Sequence, residues 1–459
     1  LNQAWLKDLN EDGSHDWHDL TTLKERVYRI ADTDGDRVAD ESTVFYEGFN
    51  EEFNGVIAGV MPWKDDVWVT VYPDLWRFHD VDQDGIADPQ HSRVRGFGVH
   101  AAYDGHDIHG LTLGPEGKLY FSVGDNGFSV VTLEGKRLHH PNTGGVLRMD
   151  PDGSNLEVFA YGLRNIQEIA FDDYGNLFSV DNDGDIEDER ERFVYIVEGS
   201  DSGWRLNWQF RSRGWTKSMD QPFYNPWIHE KMWIPFFDGQ PAHITPPLSN
   251  YSVGPGGFKY NPGAALNESY RGYFFLAQFP VQKITAFRAK PKGAYFEMTN
   301  EHVFHFGLMA SAMNFGPDGA MYIADWDGKW QPNEKGAIHR LDDPTVTNSP
   351  LRREVEQLLN EGFSDRSPAE LAQLIGHIDQ RIRQRAQSAL AEKSAGDLLL
   401  EIARSTSHPE LGRIHALWGL VEMKADGLRN LERRLPFDDP NPEIRAQTAK
   451  VAGDLRLRE

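Results

Sequence analysis

A short pattern that the chain writes three times constrains its fold most: "LGPEGKLYFSVGD" (113–125), "FDDYGNLFSVDND" (171–183) and "FGPDGAMYIADWD" (315–327). Each copy runs from a strand into a tight turn of Gly, Asp or Pro, then into an alternating strand with an acidic end. The turn residues supply hairpin geometry, and the alternation in Leu119–Val123 is that of a half-buried strand. A looser copy is "MPWKDDVWVTVYPDLWRFHD" (61–80). Pro115 and Asp172 stand 57 residues apart, an interval that suits one four-stranded propeller blade of about 40–50 residues plus loops. A further unit fits Gly254 to Arg288, with three strand-like runs, and residues 205–250, rich in Trp, Pro and Gly, read as an insertion loop above a ring. "KERVYRIADTDGDRVADESTVFYEGF" (24–49) resembles the last two strands of a blade whose first two are missing. The expectation is a mainly β chain, a six-bladed β-propeller with its first blade incomplete.

After Pro350 the texture becomes helical. Arg385-Ala386, His415-Ala416 and Arg445-Ala446 recur at intervals of 30 and 30 residues, and small residues on a fixed period indicate stacked helical pairs. HEAT-like repeats are the nearest match. The predicted division is an N-terminal segment at 1–23, taken as the remnant of a longer N-terminus, a propeller at 24–345, and small α-helical HEAT-like repeats at 351–459.

Composition narrows the chemistry. With no cysteine, the chain has no thiolate metal site, no Cys nucleophile and no haem attachment of its own. The net charge of −24 is uneven. Residues 351–459 carry 17 basic and 18 acidic side chains, a balance of −1, which leaves −23 to the first 350. A strongly acidic surface argues against nucleic acid and anionic membranes and is compatible with bound cations. No apolar run reaches the length of a membrane span, and the start at Leu1 shows no signal-peptide pattern, as expected of a trimmed form.

Two loops place carboxylates at positions one, three, five and nine: Asp32, Asp34, Asp36, Asp40 and Asp80, Asp82, Asp84, Asp88. Alternate residues on a tight loop converge their oxygens, which suits Ca2+; a solvated Asx-turn needs no metal. The Asp8–Asp16 loop repeats the spacing more weakly. "VDNDGDIEDER" (180–190) crowds Asp181, Asp183, Asp185, Glu187, Asp188 and Glu189, which calls for a cation or for wide exposure to solvent. Arg164, Asn165 and Gln167 precede the hairpin before that loop, and His106 and His109 precede the "GPEG" turn. Alone, the arginine reads equally as a surface ion pair and each histidine as a structural hairpin residue.

Taken together, the Arg-Asn-x-Gln run, the histidine eight residues before a "GPEG"-type turn and the "GSDSGW" segment after an acidic loop resemble the quinoprotein sugar dehydrogenases. These are six-bladed propellers related to soluble glucose and aldose dehydrogenases that use pyrroloquinoline quinone (PQQ). With the helical tail, the chain is similar in particular to large bacterial proteins described as membrane-bound dehydrogenases. The resemblance implies an oxidoreductase that oxidises a sugar or other alcohol hydroxyl with PQQ and Ca2+. It implies His106 as general base, with His109 in reserve, and Arg164, with Asn165, Gln167 and Lys283, on the quinone. It implies Asp181, Asn182, Asp183, Asp188 and Glu189 around the catalytic Ca2+. It also implies a periplasmic or extracellular setting, and an electron-accepting cytochrome or other protein partner at the helical repeats. One departure stands out: "FGLMASAMNFGPDG" has Met309 and Ser311 where such enzymes commonly place a cofactor-holding arginine. Two other readings stay open. One is a non-catalytic ring and scaffold that binds a glycan or protein through loops such as "NPWIHEKMWIPFF" (225–237). The other is a Ca2+-dependent hydrolase or lyase.

Overall fold

A computed structural model describes residues 7–88, 92–98, 105–182, 190–205, 231, 247–251, 253–326, 335–424, 428 and 430–457. Its β part is a row of sheets, each an antiparallel meander. The strands are β1 (Glu25–Ala31) and β2 (Glu41–Gly48); β3 (Ile57–Trp63), β4 (Asp66–Val71), β5 (Asp74–His79) and β6 (Ser92–Arg95); then β7 (Ile108–Leu113), β8 (Leu119–Val123), β9 (Phe128–Val131), β10 (Arg137–His140), β11 (Gly144–Met149) and β12 (Glu157–Leu163). After these come β13 (Ile166–Phe171), β14 (Leu177–Asp181), β15 (Glu191–Ile196) and β16 (Ser249–Tyr251); β17 (Pro255–Tyr260), β18 (Phe274–Gln278), β19 (Lys283–Lys292) and β20 (Tyr295–Phe306); and β21 (Ala310–Phe315), β22 (Met321–Asp325) and β23 (Ala337–Leu341).

The blades number five among the described residues: β3–β6; β7, β8, β11 and β12; β13–β16; β17–β20; and the three-stranded β21–β23. This corrects the expected six. Segment 24–49 does form two paired strands, β1 and β2, but they stay a separate two-stranded sheet. Their apolar side chains Val27, Phe45 and Tyr46 cover the face of the first blade that presents Val69, Val71 and Phe78. The pair β9–β10 is a second, unexpected two-stranded sheet; its Phe128, Val130 and Leu138 enter the second blade's core.

The first strand of each blade is innermost, and β3, β7, β13, β17 and β21 touch in succession. Glycines let them converge. A Cβ on Gly110 would come within 2.8 Å of the Gln167 carbonyl oxygen, and one on Gly257 within 2.8 Å of the Met313 nitrogen, closer than real side chains approach. Among the described residues no strand pairing joins the last sheet to the first, or to β1–β2. Blade faces are filled largely by aromatic residues, with Phe178, Phe193, Phe258, Phe274 and Phe287 all buried in one cluster. Each such ring contributes about 1.5–3 kcal/mol through burial.

Among the described residues the helices are α1 (Trp17–Leu20), α2 (Pro350–Glu361), α3 (Pro368–Leu374), α4 (Gln380–Glu392), α5 (Gly396–Arg404), α6 (Glu410–Glu422), α7 (Leu431–Arg434) and α8 (Pro442–Asp454). The 30-residue interval is visible in α4, α6 and α8, which carry Arg385, His415 and Arg445 and pack side by side. Helix α4 lies across the C-terminal ends of the inner strands. Gln384 Nε2 donates to the carbonyl of Gly114 (3.1 Å), Gln380 Nε2 to that of Asp172 (3.0 Å), and Arg381 Nη1 to that of Gly316 (2.7 Å). Those acceptors belong to the three copies of the repeated turn. One helix thus reads the same backbone feature on three blades. Gln380 N also donates to Pro262 O of the fourth blade, while Arg385 stacks on Trp63 and Glu392 pairs with Lys64 of the first. The helical part therefore closes one end of the ring, and no described helix is long and apolar enough to cross a membrane.

Candidate functional site at the open mouth

Antiparallel pairing places the N-terminal ends of the inner strands at the end of the ring opposite α4. His106 stands two residues before β7, and Arg164 and Asn165 immediately precede β13. Asp181, the last residue of β14, pairs with Ile166; Lys283, the first of β19, pairs with Gln278. Both positions lie at that same mouth. Met309 and Ala310, at the start of β21, bring no cation there.

Three segments meet at a buried carboxylate. His106 Nδ1 lies 2.7 Å from Asp125 Oδ1, and the Asp125 side chain is only 1% exposed. Asp125 Oδ2 accepts from Trp204 Nε1 at 2.8 Å, and its backbone N–H donates to the Arg164 carbonyl at 2.6 Å. An ionised carboxylate only accepts, so Nδ1 carries the imidazole proton and Nε2 is the basic nitrogen. The Arg164 guanidinium carbon lies 5.7 Å from the Trp204 ring centroid, and its Nη1 donates to the Asn182 carbonyl at 2.6 Å. Trp204 is fully buried and held by its own backbone: its N–H donates to Gly162 O, and its carbonyl accepts from Thr143 Oγ1. This is an imidazole oriented by a carboxylate, with a guanidinium beside it, at the edge of an open ring.

Asp181 has a different role. Both its oxygens accept from Arg164 N (3.0 Å each), Oδ1 also from Asn165 N (2.8 Å), and Oδ2 from the buried Arg192 guanidinium. Engaged in this way by main-chain N–H groups and the Arg192 guanidinium, it shapes the backbone that presents Arg164. Asn182 gives its carbonyl to Arg164, while Asp183, Asp188 and Glu189 lie outside the described residues. Beside Arg164, the side-chain oxygen of Asn165 is buried with no hydrogen-bond partner among the described residues, and so is that of Gln278 at the end of β18. Gln167 Nε2 and His109 Nε2 both approach Gly105 O, at 3.4 and 2.6 Å; His109 is thereby tied to the loop that carries His106.

Away from the mouth, Asp32, Asp34 and Asp40 bring oxygens within 4.8 Å of one another, as do Asp80, Asp82 and Asp88. Asp36 and Asp84 stand outside these triplets and accept from Val38 N (2.7 Å) and Ile86 N (2.8 Å), and the clustered Asp32, Asp34, Asp40, Asp80 and Asp88 likewise accept backbone N–H groups of their own loops.

Asp125, Trp204 and Arg192 were not singled out from the sequence. Asp125 sits in the "GDNG" that closes the first repeat and Trp204 in "GSDSGW", so the signal was an acid and an aromatic at motif ends.

The family model described as a domain of unknown function, DUF7133, matches residues 5–329. No curated protein matches the chain. Among solved structures it is similar to a glucose dehydrogenase, with 16% identity over 67% of this chain and 88% of that one and a TM-score of 0.46. It is also similar to the PQQ-bound aldose sugar dehydrogenase of Streptomyces coelicolor, with 19% identity over 66% and 84% of the two chains and a TM-score of 0.40. A third is the soluble aldose sugar dehydrogenase of Escherichia coli in its apo form, with 12% identity over 63% and 82% and a TM-score of 0.41.

Proposed function

This chain belongs to the DUF7133 family, a domain of unknown function, and from that premise we propose that its open mouth oxidises a hydroxyl of a sugar or other alcohol, with His106 as general base. The observation that carries the reading is the contact chain from His106 through Asp125 and Trp204 to Arg164. Asp125 fixes the imidazole tautomer and would stabilise the imidazolium formed when Nε2 takes the substrate proton. Arg164, held over Trp204, places positive charge where negative charge develops. His109 and Gln167 hold the Gly105 carbonyl and so position the base.

PQQ, when bound, supplies a two-electron acceptor, and Ca2+ supplies the Lewis acid that polarises it. The mouth suits such a group on one side. The unpartnered Asn165 oxygen beside Arg164 awaits an N–H donor or a cation, and Arg164 and Lys283 would face the anionic edge. Because Asp181 is engaged by main-chain N–H groups and Arg192, the ion would be held from Asn182 onward, on Asp183, Asp188 and Glu189. The Asp32 and Asp80 loops would take structural Ca2+. The helical end would be the face for an electron-accepting protein, in a periplasmic or extracellular setting.

The His106–Asp125 pair also supports a second reading, proton transfer by a Ca2+-dependent lyase or hydrolase. Reconstitution with PQQ and Ca2+, followed by screening of sugars and alcohols with an artificial electron acceptor, separates the two. Quinone-dependent turnover abolished by His106→Ala supports the dehydrogenase. Turnover that depends on His106 and ignores the quinone supports the alternative. Glycan binding with neither activity leaves a non-catalytic ring.

A further inference from the structure

We propose that the closed end of the ring, beneath α4, is a binding site for a small planar carboxylate, separate from the mouth that carries His106. A cavity of about 290 Å³ lies there on the ring axis, between the inner strands and helices α4 and α6. The inner strands are about six residues long, which sets it roughly 20 Å from the mouth.

Two side chains in its wall keep hydrogen-bonding capacity that, among the described residues, nothing takes up. Along α4, Gln380, Arg381 and Gln384 all spend their side chains on ring carbonyls. Arg385 shares that face and does not. Its guanidinium stacks on Trp63, 4.8 Å from the ring centroid, and among the described residues it has neither a hydrogen-bond acceptor nor a carboxylate partner. His415 is 1% exposed; its Nδ1 meets Gln387 Oε1 at 2.8 Å, and its Nε2 is buried with no partner among the described residues. The Arg385 N–H groups offer donors to a ligand carboxylate, while His415 Nε2, left as a lone pair because Nδ1 donates to Gln387, offers an acceptor to a ligand O–H or N–H.

Local charge sets the ligand's sign. Arg381 pairs with Asp379, and Lys259 with Glu168. Asp172, on the same wall, is held by burial at a pKa of about 6 and accepts from Asn176 and the Tyr174 N–H. The Asp172 charge is thus engaged by N–H donors of its own turn, and among the described residues Arg385 is the cation of this wall with no carboxylate in contact. A guanidinium matches a carboxylate in bidentate geometry, and Trp63, Tyr260, Phe315 and Trp418 offer flat apolar walls for the ligand's body. Access would come between β21 and β3, which are not paired among the described residues and on which Asn314 and Pro62 are both exposed.

Titration calorimetry with benzoate as the probe tests the site on the full chain. The expected result is saturable 1:1 binding that Arg385→Met weakens about tenfold or more, that Arg385→Lys partly retains, and that benzyl alcohol, the neutral counterpart, does not reproduce. Absence of saturable binding up to about 10 mM, near the weak limit of specific recognition, overturns the proposal, as does equal affinity in Arg385→Met. Should that variant not fold, the wild-type comparison still decides, because benzyl alcohol binding as tightly as benzoate removes the case for a carboxylate site. Dehydrogenase activity at the mouth is expected to persist in Arg385→Met, so the two functions fail independently.

Discussion

Asp125 is the residue on which the mouth turns, because one side chain serves the imidazole of His106 and the indole of Trp204 at once. An amide in its place offers one acceptor oxygen and one donor group, so it cannot accept from both. Asp125→Asn is therefore expected to lower kcat by about 10²–10⁴-fold and to distort the pH profile, with far-UV circular dichroism unchanged. His106, Arg164 and Asp181 were legible in the sequence because they flank a repeated strand pattern that has a mouth and a floor. Asp125 and Trp204 were not, because 79 residues separate them and no local rule says which acid meets which indole. The same limit hid Arg192. A crowd of carboxylates beginning at Asp181 reads as a metal loop until its first member is seen to be filled by two backbone N–H groups and a buried guanidinium.

Among the elements, the two Asp-rich turns give a direct expectation. Each gathers three carboxylates within 4.8 Å, and mutual repulsion of that kind is relieved by a divalent ion. Added Ca2+ should raise the melting temperature by a few degrees, EDTA should reverse this, and Asp32→Asn with Asp80→Asn should abolish the response in differential scanning calorimetry. Helix α6 carries another. Burial, and secondarily the charge of Arg383, hold the His415 pKa well below its usual value. Below about pH 6.5 the unfolded chain takes up a proton that the folded one refuses, so stability falls with acidification. His415→Gln should flatten that dependence between pH 7.5 and 5.5 in urea titrations. The repeated turn was readable because hairpin chemistry is local. The number of blades was not: residues 24–49 have the alternation of a blade's outer half, and whether they join a full sheet depends on partners elsewhere in the chain.

Across the whole molecule, the helical part and the ring are joined through backbone acceptors. Gln380→Ala with Gln384→Ala removes two of these links, at about 1 kcal/mol each, and should lower the urea midpoint while leaving the mouth's chemistry intact. A 30-residue rhythm in the tail foretold stacked helices, but not that their first face would lie over the axis. That placement is specified by side chains such as Gln384 and Arg381, whose targets are main-chain oxygens common to any sequence.

An arc of sheets with, among the described residues, no strand stitched from last to first would be free to splay. Because α4 grips blades on both sides of the gap, it serves as the clasp of an otherwise unfastened collar. Whatever loosens that clasp widens the circle everywhere at once.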